Sequence, residues 1–250
     1  MRNRIIIVVV LSVSAALIQT ITIGVIGSFI ASFVLYTIAL CTGSLFAIAT
    51  FSPLVQEDVF ITKVKNIAGL TGISNKQIIM GFISGIVIDV LMVAGLVIFY
   101  DYFNNAQVVI DAVAKMGVKN SITLIITIIG LVINAIAEEL FWRGTLHSCL
   151  LAYQQKHNKN NACAVVTSRE YFRVIMVSFL FGINHIGIMA GIAPSFPAGL
   201  LSLLGITLTG VLWSIMREKT RSIIPSIISH VLVTLGYSGL LVFYFVSYRA

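Results

Sequence analysis

The chain has 250 residues, of which 58% are hydrophobic and only 10% charged, with a formal net charge of +7. Soluble domains hold about 45–50% apolar and about 25% charged residues, so this composition excludes a soluble fold and requires a membrane-embedded one. The basic residues lie in the gaps between apolar runs rather than in one patch, which argues against a nucleic-acid partner and for charge that sets membrane topology.

A spanning helix takes roughly 20 mostly apolar residues. The run over residues 5–54 is long enough for two, with a turn near residues 24–28, and too long for the apolar core of a signal peptide, about 7–15 residues. An uncleaved first span is therefore expected. Further spans are predicted over 77–100, 121–152, 171–190, 196–216 and 222–248. The expected fold class is all-α: a polytopic membrane bundle of about seven transmembrane helices forming one domain over 1–250. No Pro-rich or Ser-rich segment divides the chain, and no internal repeat supports a transporter of the inverted-repeat kind.

Lys and Arg accumulate on the cytoplasmic side of short loops. With the N-terminus cytoplasmic, that side receives Arg2, Arg4, Lys63, Lys65, Lys76, Lys156, Lys159, Arg169, Arg173, Arg217, Lys219 and Arg221, and the other only Lys115, Lys119 and Arg249. A multi-pass protein of the cell membrane is the expectation. Residues 56–76 mix charges with Ile and Val and read as a segment along the membrane surface. Cys41, Cys149 and Cys163 have neither disulfide-like nor metal-like spacing and read as small apolar fillers.

A charge at mid-bilayer costs at least about 2.5–3.5 kcal/mol on insertion scales, so each one needs a reason. The fourth span carries Asn134, Glu138, Glu139 and Arg143. Glu139 and Arg143 are four apart and meet on one helical face, as do Asn134 and Glu138, so Arg143 neutralises Glu139 and Glu138 turns elsewhere in the bundle. The fifth span carries Phe181 and His185 four apart, and the seventh His230 and Thr234. A carboxylate and two imidazoles at comparable depth on three helices suit activation of water and polarisation of a carbonyl.

Glu138-Glu139-x-x-x-Arg143, Phe181-x-x-x-His185 and His230, in that order on separate helices, resemble the three-motif signature of the CAAX prenyl endopeptidase and bacteriocin-processing (CPBP, Abi-type) family. The matching core covers about 121–248. The resemblance implies an intramembrane endopeptidase in which Glu138 and His185 activate water and His230 contributes to the oxyanion hole. It also implies a peptide or membrane-anchored protein substrate at the bilayer; the short loops are similar to those of bacterial members. Where the family has Asn four residues after the third-motif His, this chain has Thr234, a shorter donor that often bonds its own helix backbone.

Glu139, Arg143, Thr234 and Phe181 are expected to support the site, Phe181 by packing on His185. Two His and a Glu are also zinc-ligand types, and the family has been described both as metalloproteases and as glutamate-type enzymes. The H-E-x-x-H spacing is missing, and no metal or other cofactor is the favoured reading. The rival function is a non-catalytic membrane protein, such as a bacteriocin-immunity factor, that keeps the motif as a structural network. Asp89 in the third span needs a partner, for which Arg143 is a candidate. Gly81 and Gly85 read as a close helix contact. His147 and His157 read as interfacial.

Overall fold

The computed structural model describes residues 29–51, 69–70, 72–115, 117–156 and 166–247, with scattered positions before residue 22. Every regular element among the described residues is helical: α1 (Phe29–Phe51), α2 (Asn75–Ile98), α3 (Tyr100–Phe103), α4 (Ala106–Lys115), α5 (Ser121–Glu139), a π-helical segment (Leu140–Leu146), α6 (His147–Lys156), α7 (Val166–Asn184), α8 (Ile186–Ile192), α9 (Phe196–Thr220) and α10 (Ile224–Ser247).

Among the described residues, five stretches are long and apolar enough to cross a membrane: Asn75–Ile98, Ser121–Leu151, Glu170–Ile192, Phe196–Thr220 and Ile224–Ser247. They coincide with the third to seventh predicted spans to within a few residues. The protein is thus a multi-pass membrane protein. α1 adds a shorter apolar helix, Ala31–Ser44. The predicted turn at 24–28, most of the surface segment 56–76, and Arg2, Arg4, Lys63, Lys65, His157, Lys159, Cys163 and Arg249 lie outside the described residues.

Helix starts are marked by side chains that satisfy otherwise orphan backbone donors. The side chains of Ser74, Asn120 and Ser195 accept from the backbone N–H three residues later, opening α2, α5 and α9. Two elements escaped the hydropathy reading. α3 and α4 bridge the third and fourth spans, and α4 is amphipathic, with Ala106, Ile110 and Val113 buried. Val113 packs in a cluster with Val118, Leu124, Leu241 and Phe245, closing one end of the bundle.

Side-chain neighbours give the helix directions. A Cβ at Gly81 would come within 2.8 Å of Ile228, one at Gly85 within 2.9 Å of Leu232, and one at Gly236 within 2.5 Å of Asp89. The numbers rise together, so α2 and α10 run parallel with their backbones in close approach, the small-residue contact expected of Gly81 and Gly85. α1 and α5 are parallel as well, since Phe33 neighbours Gly130 and Thr37 bonds Asn134. α7 and α9 are antiparallel, with Ser178 against Ser214 and Arg173 against Glu218. One end of the bundle therefore gathers Lys76, Arg173, Arg217, Lys219 and Arg221, and the other Asp101, Asp111, Lys115 and Lys119.

Candidate active site

The first half of the fourth span is an ordinary lipid-facing helix: Ile125, Ile129, Ile133 and Ile136 recur at helical spacing and are exposed, while Asn134, Ala135, Ala137, Glu138 and Glu139 are buried. After Glu139 the helix widens into the π segment. There the Thr145 hydroxyl donates to the Leu140 carbonyl at 3.1 Å and the His147 N–H to the Trp142 carbonyl, each five residues back. Residues 141–147 are all buried, so this half has no lipid face. Widened turns of this kind concentrate at functional sites; here it carries Trp142 and Arg143 into the interior directly beneath the two glutamates.

Glu138 and Glu139 point into different surroundings. Asn134 donates its amide to Glu138 Oε1 at 2.8 Å. Arg143 donates to Glu139 Oε1 at 2.7 Å, and neither side chain of this pair is exposed. The second arm of Arg143 reaches the Gly210 carbonyl at 3.3 Å, and its guanidinium lies 4.3 Å from the Phe181 ring centroid and 5.2 Å from that of Trp213. An ion pair, a carbonyl and two aromatic faces thus offset the loss of water around a fully buried cation.

His185 occupies a break in the fifth span, in the turn between α7 and α8. Its Nδ1 lies 2.8 Å from the Phe181 carbonyl. A carbonyl only accepts, so Nδ1 carries the proton and the neutral ring presents a lone pair at Nε2. His230 on α10 is held in the same way, with Nδ1 3.0 Å from Glu139 Oε1. Its ring stacks on Trp213 at 4.2 Å and 26°, and the Trp213 indole is anchored by donating to Ser229 Oγ at 2.9 Å.

The two Nε2 atoms converge on one atom, Glu138 Oε2, from 4.0 Å (His185) and 3.6 Å (His230). Three acceptors facing one another at distances beyond a direct hydrogen bond form a proton-accepting centre. Phe181 stands in its middle: its centroid is 4.6 Å from His185, 6.0 Å from His230, 6.0 Å from Trp142 and 5.9 Å from Trp213. Thr234, half-buried, lies one turn beyond His230; its hydroxyl makes no hydrogen bond to a described residue, while its carbonyl accepts from Ser238 Oγ at 2.7 Å. Among the described residues no group of three His, Cys, Asp or Glu is arranged to hold a metal ion. Glu139, the second carboxylate, is already engaged by Arg143 and His230.

The motif residues Glu138, Glu139, Arg143, Phe181, His185 and His230 are thus brought together. Two expectations need correction. Arg143 is committed to Glu139 and Gly210 and does not serve Asp89, whose Oδ1 is buried against α10 without a hydrogen-bond partner among the described residues. His147 is not interfacial: it is buried, with Nε2 3.1 Å from Glu218 Oε1, an oxygen that Arg173 also holds at 2.7 Å. The π segment and α6 prolong the fourth span inside the bundle, so this residue meets α9 rather than the membrane surface.

Several site residues carry no sequence motif. Trp142 and Trp213 are the chain's two tryptophans, and both border the site. Tyr36 and Thr37 of α1, and Asn184 of α7, reach it as well: Thr37 donates to Asn134 Oδ1 at 3.1 Å, and Asn184 donates to the Tyr36 hydroxyl.

Residues 120–236 match the family model described as type II CAAX prenyl endopeptidase Rce1-like. No curated protein and no solved structure matches the chain. The matched segment contains the whole motif set, from Glu138 to Thr234, and four of the five apolar spans in whole or in large part. Over residues 120–236, just under half of its length, the chain is thus similar to the Rce1-like family of CAAX prenyl endopeptidases.

Proposed function

We propose that the protein is an intramembrane endopeptidase of the cell membrane that hydrolyses a peptide bond in a peptide or membrane-anchored protein, with water activated by Glu138 and His185. The observation that carries this reading is the convergence of two imidazole lone pairs on a single Glu138 oxygen inside a membrane bundle. A water between these groups gives its proton to Glu138, assisted by His185, as its oxygen bonds to the scissile carbonyl carbon. The tetrahedral intermediate then collapses, the C–N bond breaks, and the proton passes to the leaving amine.

His230 acts on the carbonyl oxygen. Because Glu139 holds its Nδ1–H, its Nε2 takes up a proton before it donates to that oxygen, with the Arg143–Glu139 pair supplying adjacent charge. Thr234, its hydroxyl uncommitted, is the second donor. No step is routed through a metal.

Thr234 in place of the family's Asn also favours a second reading, a non-catalytic immunity factor that binds a peptide. Incubating the purified protein with a peptide library and scoring cleavage by mass spectrometry separates the two. Products that vanish in Glu138→Ala support the peptidase. Binding without cleavage, together with cell protection that survives Glu138→Gln, supports the immunity factor.

A further inference from the structure

Helix α1 lies outside the segment that matches the family model, yet two of its consecutive side chains reach the site. We propose that Tyr36 and Thr37 are positioning residues for the catalytic pair, Thr37 holding Glu138 through Asn134 and Tyr36 holding the His185-bearing turn through Asn184. This rests on the reading of Glu138 as the base.

Glu138 is 2% exposed, and an ionised carboxylate only accepts. Its Oε1 takes the Asn134 amide at 2.8 Å, and Asn134 Oδ1 in turn takes the Thr37 hydroxyl at 3.1 Å. The Thr37–Asn134–Glu138 chain therefore has one polarity: turning the amide over would set its oxygen against the carboxylate. The Tyr36 hydroxyl, fully buried, accepts from the Asn184 amide.

Asn184 immediately precedes His185. The Tyr36–Asn184 bond thus ties the His185-bearing turn to the same helix that holds Glu138, and α1 sets the spacing between base and assistant. With Oε1 engaged by Asn134, the free oxygen, Oε2, is the one the two imidazoles face.

Tyr36→Phe is expected to lower kcat about 10–100-fold and change KM less than about threefold. Thr37→Val is expected to lower kcat similarly, and Thr37→Ser, which keeps the hydroxyl, to recover most of the loss.

The test uses the full chain in lipid, a peptide it cleaves, and Glu138→Gln in the same assay. A kcat within about threefold of wild type in Tyr36→Phe overturns the inference. So does a Thr37→Ser variant no more active than Thr37→Val, a comparison that stands even where Tyr36→Phe does not fold. If Glu138→Gln is inactive while these variants behave like wild type, this inference alone falls. If Glu138→Gln remains active, the general-base reading falls and takes this inference with it.

Discussion

Arg143 and His230 meet on a single atom: both engage Oε1 of Glu139, at 2.7 and 3.0 Å. The cation is four residues away on the same span and the imidazole 91 residues away on another. Glu139 thus couples the charge balance of its own helix to the orientation of the residue proposed to polarise the substrate. Without Arg143, a buried carboxylate would be left with a neutral imidazole as its partner.

Arg143→Ala is accordingly expected to cost about 3–5 kcal/mol of stability, the usual consequence of stranding one member of a buried pair. Arg143→Lys keeps the charge but loses the forked geometry that also serves Gly210 and the ring faces, and should recover only part of that cost. Unfolding midpoints in detergent measure both; an Arg143→Ala protein as stable as wild type contradicts the assignment.

Thr234 is where this chain departs from the pattern of the family it resembles, and its hydroxyl makes no hydrogen bond to a described residue. Thr234→Asn extends an amide from the same helical face as His230. One oxyanion donor is worth about 10²–10³ in rate, so turnover should rise by about tenfold to several hundredfold, with KM nearly unchanged because the donor acts as charge develops. Steady-state kinetics on a cleaved peptide decide this. A folded Thr234→Asn variant, inactive beside an equally inactive wild type, would favour the non-catalytic reading.

The α2–α10 contact tolerates no side chain at Gly85, where a Cβ would stand 2.9 Å from Leu232. Gly85→Leu should destabilise the bundle by about 1–3 kcal/mol or more through overpacking. On the same helix nothing lies within 4 Å of a Cβ at Gly95, so Gly95→Ala should be neutral or slightly stabilising. Thermal unfolding of the two variants side by side tests the helix packing independently of any catalytic assay.

The basic end of the bundle is expected to face the cytoplasm. In a background lacking the native cysteines, cysteine at Lys76 or Lys219 should resist an impermeant thiol reagent on intact cells, whereas cysteine at Lys115 should react. The reverse pattern contradicts the orientation. The expectations for Lys63 and Lys159, outside the described residues, are open to the same labelling.

Spans three to seven were legible because apolar runs of spanning length leave little choice of structure in a bilayer. The motif residues were legible for the opposite reason: Glu138, Glu139 and Arg143 are too costly in an apolar run to be accidental. The π segment left no trace, since Leu140–Leu146 reads like any helical stretch and the widening is decided by packing on both sides. His147 was misplaced because span length alone ends the fourth helix at the membrane surface, whereas Glu218 and Arg173 draw it inside. Tyr36, Thr37 and Asn184 carry no signal in the sequence, because their partners lie 97 to 148 residues away and only the folded bundle joins them.

The central claim is that Glu138 takes the proton from the attacking water. The most direct measurement is the single-turnover rate of peptide cleavage with enzyme in excess, for wild type and Glu138→Gln, each first shown to unfold at a similar temperature. The glutamine keeps the Asn134 contact and the shape of the site but cannot accept the proton, so the rate should fall by about 10²–10⁴. A Glu138→Gln rate within about tenfold of wild type would contradict the account.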